Sequence, residues 1–164
     1  MISLEPITPR NAMVFKEIRL RALQDAPSAF SSNYAKEAQL SDGDWVQRAG
    51  QWSGPQSVVY LALDKAIACG IAGAFLDHDD VTCAHLISMW VAPEHRRLGV
   101  GATLVNAIVE WARTQSVDRL ELLVTSNNDG AIKFYQRLGF TTGMITPHVN
   151  DPSLSDREMC RIIA

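Results

Sequence analysis

Long apolar runs, closely spaced cysteines and an excess of basic residues are all missing from this chain, and each absence excludes a class of protein. No stretch approaches the roughly 18–20 consecutive apolar residues that a membrane-spanning helix needs, so no membrane partner is expected. Met1 to Arg10 holds no apolar segment after a basic start. No secretory leader is therefore expected, and the cytoplasm is the expected compartment. The three cysteines, Cys69, Cys83 and Cys160, are odd in number and far apart, with no CxxC pair. That pattern argues against a disulfide framework and against a zinc site, so no metal is expected. Lysine and arginine number 15 against 18 acidic residues, a net charge of −3. A dedicated nucleic-acid binder carries the opposite imbalance, and no nucleic-acid partner is expected.

What is present is an ordinary globular composition, 47% apolar and 20% charged in 164 residues. That length suits a single domain over 1–164 with one sizeable core. Ile2, Leu4 and Ile7 suggest a first strand, and Thr8-Pro9 reads as the capped start of a helix through Leu23. Asp25-Ala26-Pro27-Ser28 stops it. Weaker helical stretches follow from Asn33 to Gln39 and after Ser41. Ser57–Leu63, Ala66–Leu76 and Val81–Val91 then read as three consecutive strands, separated by Asp64-Lys65 and by the acidic loop Asp77–Asp80. A helix opening at Gly99-Val100-Gly101 carries an apolar stripe of Val105, Ile108, Val109 and Ala112. Arg119–Val124 reads as a buried strand. A second amphipathic helix holds Ala131, Phe134, Tyr135 and Leu138 and ends at Gly139. Phe140–Ile145 and Glu158–Ile163 close the chain as strands around the loop Pro147–Ser155. The order predicts an α/β (α+β) fold with a mixed, mostly antiparallel central sheet of about six to seven strands flanked by about four helices.

The most informative segment is Val91-Ala92-Pro93-Glu94-His95-Arg96-Arg97-Leu98-Gly99-Val100-Gly101-Ala102. A strand ends, a basic turn bearing glycines follows, and a helix begins. Unpaired amides at a helix N-terminus favour an anion, and glycine lets a pyrophosphate approach the backbone. Arginine adds matching charge. A dinucleotide fold would require G-x-G-x-x-G. Gly99-Val100-Gly101 is followed by Ala102-Thr103-Leu104, so the third glycine is absent, and the preceding strands form a meander. Glu121 alone lies at a suitable distance for a ribose-binding acid.

Arg96-Arg97-Leu98-Gly99-Val100-Gly101 closely resembles motif A of the GNAT acetyltransferase superfamily, R/Q-x-x-G-x-G/A. Met89-Trp90-Val91-Ala92-Pro93 resembles the strand end before it. Asn128, Ala131, Tyr135 and Leu138-Gly139-Phe140 resemble motif B, N-x-x-A-x-x-x-Y-x-x-x-G-F. Together the two motifs cover 81–143. A weaker likeness, Arg19-Leu20-Arg21-Ala22-Leu23 through Pro27 and Phe30, is to the first helix of many bacterial members.

The resemblance implies acetyl-CoA as acyl donor and a primary amine, of a small molecule or a peptide, as acceptor. It implies pyrophosphate contacts from Arg96, Arg97, Leu98, Gly99, Val100, Gly101 and Ala102. The pantetheine arm would pair along Met89, Trp90 and Val91, with Asn128 and Ala131 on its other side. Tyr135 would protonate the departing thiolate, and a backbone N–H near Met89–Val91 would stabilise the oxyanion. For the base, the aligned Glu of some members is Leu123 here. The strand position used by histone-type members is His85, which can accept a proton near neutral pH. Glu121 and a water chain are the other candidates. The resemblance also places the N-terminal helices and the Pro147–Ser155 loop around the acceptor, with Trp45, Asp42 and Asp44 as candidate contacts. His95 reads as an exposed turn residue. The resemblance leaves open a homodimer, and a catalytically inactive acyl-CoA-binding module is the alternative function.

Overall fold

The structure, a computed structural model, describes residues 1–163. Strand β1 (Ile2–Pro6) leads to Thr8, whose hydroxyl accepts from the Arg10 amide. Thr8-Pro9 opens a short 3-10 turn, and α1 (Ala12–Asp25) follows it. Helix α2 (Tyr34–Glu37) is one turn capped by Asn33, shorter than the stretch to Gln39 predicted from sequence. Helix α3 (Asp42–Trp52) starts on a reciprocal Ser41–Asp44 capping box.

Strands β2 (Ser57–Asp64) and β3 (Ile67–Leu76) form a hairpin. Lys65 and Ala66 both have positive φ, 50° and 71°, the conformation a tight hairpin turn demands. Ala66 therefore belongs to the turn and not to the strand. Strand β4 (Cys83–Val91) begins later than Val81 because the Asp80 carboxylate accepts from the Thr82 amide and hydroxyl, holding that pair in a turn. Helix α4 (Val100–Thr114), β5 (Arg119–Thr125) and α5 (Asp129–Arg137) follow. Strands β6 (Thr141–Pro147) and β7 (Ser155–Ile162) complete the chain.

The strands form one sheet in the order β1-β2-β3-β4-β5-β7-β6. Every pairing is antiparallel except β4 with β5, which is parallel. This is the mixed, mostly antiparallel sheet expected. The described residues form five helices against the about four expected, the shortest being the single turn α2 packed on α1.

One face packs on α4 and α5. Leu104, Val105, Ile108 and Ala112 meet Ala72, Ala84, Leu86, Leu120, Leu122 and Met159 there. Each fully buried large aliphatic side chain stabilises the fold by about 1.5–3 kcal/mol. On the other face α1 and α3 cover only part of the sheet: Phe15, Ile18 and Trp45 pack with Val59, Leu61, Ile71 and Trp90. The β5–β7 portion of that face carries Glu121, Leu123, Glu158 and Asp156 instead of a helix, and Leu123 is 60% exposed. Half of one sheet face is thus left open beside α1.

Candidate active site

The parallel pairing of β4 and β5 is short. Only Cys83, Ala84 and His85 pair with Arg119, Leu120 and Glu121. Beyond His85 and Glu121 the strands part, because β4 bulges. Ala72 of β3 faces both Ser88 and Met89, and Ser88 takes φ 57°. The bulge flips the side-chain alternation. Ala84 and Leu86 face α4 before it, whereas Met89 and Val91 face α4 after it and Trp90 turns to the α1 side.

A cleft of about 980 Å³ occupies the gap. Residues from both faces line it: Met89, Asn128, Ala131 and Tyr135 from the α4–α5 side, and Arg19, Glu37, Glu121 and Glu158 from the other. The cleft therefore passes through the sheet where the strands separate. His85, Met89, Asn128, Ala131 and Tyr135, all anticipated from sequence, are brought together here. Trp90 and Val91 are not, since their side chains enter the two cores.

The segment Arg96–Ala102 lies at the end of β4, outside the cleft lining. Gly99 sits at the N-cap of α4 with φ 82°, and no side chain caps the helix. Its first-turn amides are free of protein partners, and no acidic residue occurs in that turn. Gly101 serves packing: a Cβ there would lie 3.0 Å from Phe134 Cζ and 3.1 Å from Met89 Cε. Arg97 is exposed and makes no ion pair among the described residues. Arg96 is committed elsewhere, donating to Val91 O at 2.9 Å and to Asp25 Oδ2 at 2.8 Å. Asp25 also accepts from Trp90 Nε1, and these bonds hold its carboxyl below the usual range.

At the base of the cleft, His85 and Glu121 are register partners. His85 Nε2 lies 2.7 Å from Asp77 Oδ2, and the ring stacks against Phe75. The His85 hydrogen bond holds the Asp77 carboxyl below its ordinary range, so Asp77 is ionised and can only accept. The proton of a neutral imidazole therefore sits on Nε2, leaving Nδ1 with a free lone pair. Glu121 accepts from Arg119 Nε at 2.9 Å. Cys83, His85 and Glu121 bring potential ligand atoms within 4.8 Å of one another. The Cys83 thiol, however, is pushed up to about 12 by burial and by Glu121.

Tyr135 is 7% exposed, set edge-on against Phe134 and Phe140. Burial raises its phenol pKa. Asn128 caps α5, its Oδ1 accepting from the Ala131 amide at 3.1 Å, which leaves its amide NH2 for the cleft.

The opposite wall is a charged knot that sequence reading missed. Arg19 donates to both Glu37 oxygens at 3.1 Å and to Ser88 Oγ at 2.7 Å, and Arg48 donates to Glu37 Oε1 at 2.9 Å. Over these helices, Trp45 is fully buried, and neither it nor Asp42 nor Asp44 lines the cleft. His95 is not exposed either, its Nε2 meeting Asp64 Oδ2 at 3.0 Å. From the β6–β7 loop, 148–154, His148 and Val149 line the cleft. His148 Nε2 meets Ser28 O at 2.8 Å, and Asn150 Nδ2 donates to Phe30 O at 3.1 Å.

The Acetyltransferase (GNAT) family model matches residues 20–140, which contain the strand end, the uncapped turn and part of the cleft lining. The chain belongs to the GNAT acetyltransferase family. It is 40% identical over 57 residues to an uncharacterized N-acetyltransferase of Methanocaldococcus jannaschii, a match covering 35% of this chain and 25% of that protein. It is 27% identical over 113 residues to the mycothiol acetyltransferase of Beutenbergia cavernae, covering 69% and 38%. The GNAT match thus spans well under half the length of either curated relative. The fold is similar to that of yncA from Salmonella typhimurium, solved with its cofactor acetyl-CoA, with a TM-score of 0.83 and 16% identity, covering 100% of this chain and 95% of that one. Among the described residues no helix is long and apolar enough to cross a membrane.

Proposed function

We propose that this chain, as a single domain, transfers an acetyl group from acetyl-CoA to a primary amine by direct attack in a ternary complex. The observation that carries the reading is the cleft through the sheet, with Tyr135 on one side, the His85–Asp77 pair at its base and an uncapped helix N-terminus whose Gly101 lies against Met89 of the cleft wall. The residues fit the donor. Free amides of the first turn of α4 and the unpaired Arg97 suit a pyrophosphate. Arg96 instead fixes the turn through Asp25 and Val91. Beyond the bulge, β4 has no β5 partner, so Met89 to Val91 offer backbone groups to an extended arm. The Asn128 amide group faces that arm.

Bound acetyl-CoA supplies the thioester whose carbonyl the amine attacks. His85 Nδ1 accepts the proton the amine must lose, with Asp77 stabilising the imidazolium that results. Glu121 lies beside it as the second candidate base. A backbone N–H at the bulge, near Met89–Val91, faces the developing oxyanion. Tyr135, kept neutral by burial, gives its proton to the departing sulfur.

Thermal denaturation with acetyl-CoA, with NADH as control, tests the donor. A ligand at about 100 times Kd stabilises by about 2.7 kcal/mol. Release of free thiol with a panel of amines then tests the reaction. Stabilisation without thiol release from any amine would favour the acyl-CoA-binding module, and no stabilisation at millimolar acetyl-CoA would overturn both readings.

A further inference from the structure

Two carboxylates that line the cleft, the buried Asp156 and the exposed Glu158, have no side-chain partner among the described residues. Asp156 is 7% exposed, lines the cleft, and makes no ion pair or side-chain hydrogen bond among the described residues. Glu158 lines it too, equally unpaired. The Asp156 acid group therefore reaches the cleft with no protein cation against it, and a cation entering there would meet an uncompensated acid. Every other charged side chain nearby is committed: Arg19 and Arg48 to Glu37, Glu121 to Arg119, His85 to Asp77. Arg157, between the two acids, points to the opposite face and donates to Gly143 O.

Register places the two acids. Cys160 pairs with Glu121, Glu158 with Leu123 and Asp156 with Thr125, all on the face left open by the helices. At about 3.4 Å per residue, Glu158 lies about 7 Å and Asp156 about 14 Å along β7 from the Glu121 rung. The row runs away from the His85–Glu121 base of the cleft, toward the loop held over it by His148 and Asn150.

We propose that Asp156 and Glu158 form a subsite for a second ammonium group of the acceptor, distinct from the amine that is acetylated. The acceptor is then a linear small molecule with at least two cationic amines. The loop bonded across to Ser28 and Phe30 suits a slender molecule entering end-on. This inference rests on the acetyltransferase reading and adds the acceptor's charge pattern to it.

The test uses the full chain with acetyl-CoA and thiol release. Linear diamines from diaminobutane to diaminooctane are compared with monoamines of matched length. At least one diamine is expected to exceed its matched monoamine in kcat/KM by about tenfold, the effect of one charge-assisted contact. Asp156→Asn, nearly isosteric, is expected to lower that ratio about tenfold, mainly through KM. Glu110→Gln, on the exposed face of α4, should leave the ratio unchanged. In the unaltered protein, KM for the diamine should rise more steeply with salt than KM for the monoamine. A ratio near one in the unaltered protein, or a ratio unmoved by Asp156→Asn in a folded variant, overturns the subsite while the acetyltransferase reading stands. No thiol release from any amine overturns both.

Discussion

Tyr135 combines burial with access to the cleft, and this decides what its phenol can do. Apolar surroundings disfavour the phenolate, so burial raises the pKa above the ordinary 10.0. The sign follows: the neutral donor is fully present below pH 10 and is lost only as pH rises through the higher folded-state value. A pH profile of kcat should therefore show no alkaline limb from this group below about pH 10. Tyr135→Phe keeps the ring contacts with Phe134 and Phe140 and removes only the phenolic hydroxyl. It is expected to lower kcat about a hundredfold, as for loss of one general acid. Acetyl-CoA should still raise the melting temperature as before. Unchanged kcat in this variant would remove Tyr135 from the chemistry. The residue was legible from sequence because a helical tyrosine at a fixed distance from an asparagine cap is a local pattern.

At the scale of elements, three helices meet at one carboxylate. Glu37 from α2 joins Arg19 from α1 and Arg48 from α3, and Arg19 reaches on to Ser88 at the β4 bulge. Burial pushes the Glu37 carboxyl up, but Arg19, Ser32 and Arg48 together bring it below its ordinary 4.5. Its stabilising effect is therefore complete above pH 4.5 and is lost as pH falls through the lower folded-state value. Glu37→Gln leaves two arginines with no countercharge and is expected to cost about 3 kcal/mol. The variant's melting temperature should also vary less with pH below about 4.5, where the parent loses this term. Equal stability of parent and variant at neutral pH would show the knot to be dispensable. A second test at this scale concerns α4. Gly99 needs φ 82°, so Gly99→Ala is expected to cost about 1 kcal/mol and to weaken acetyl-CoA binding in a thermal titration. That turn was readable in advance because a helix start has local grammar. The knot was not, because it joins residues distant in sequence and each member alone reads as a solvated charge.

Across the whole molecule, the sheet order determines which side chains meet. The three-strand meander and the later α-β-α segment were visible as periodicity, as was a mostly antiparallel sheet. Placement of β7 between β5 and β6 was not, since pairing between distant strands leaves no local mark. The start of β7 was also read at Glu158 rather than Ser155, which left Asp156 outside the strand and hid its alternation with Glu158. The bulge was written in the sequence as a parity change, with Ala84 and Leu86 inward and then Met89 and Val91, but one strand read alone does not show it. The same long-range assembly joins the Pro27–Ser32 region to the β6–β7 loop, where Asn150 Nδ2 donates to Phe30 O and His148 Nε2 meets Ser28 O. Asn150→Ala removes one of these ties while keeping the Asn150 amide that donates to His148 Nδ1. Loss of one such bond is expected to cost about 1 kcal/mol of stability. If the loop walls the acceptor and not the donor, the variant should raise the acceptor KM severalfold and leave stabilisation by acetyl-CoA intact. A loss of acetyl-CoA binding equal to the loss of acceptor affinity would mean instead that the tie supports the whole cleft, because the side-chain bonds that tie this loop to the rest of the fold run to Ser28 and Phe30 and not to the donor side.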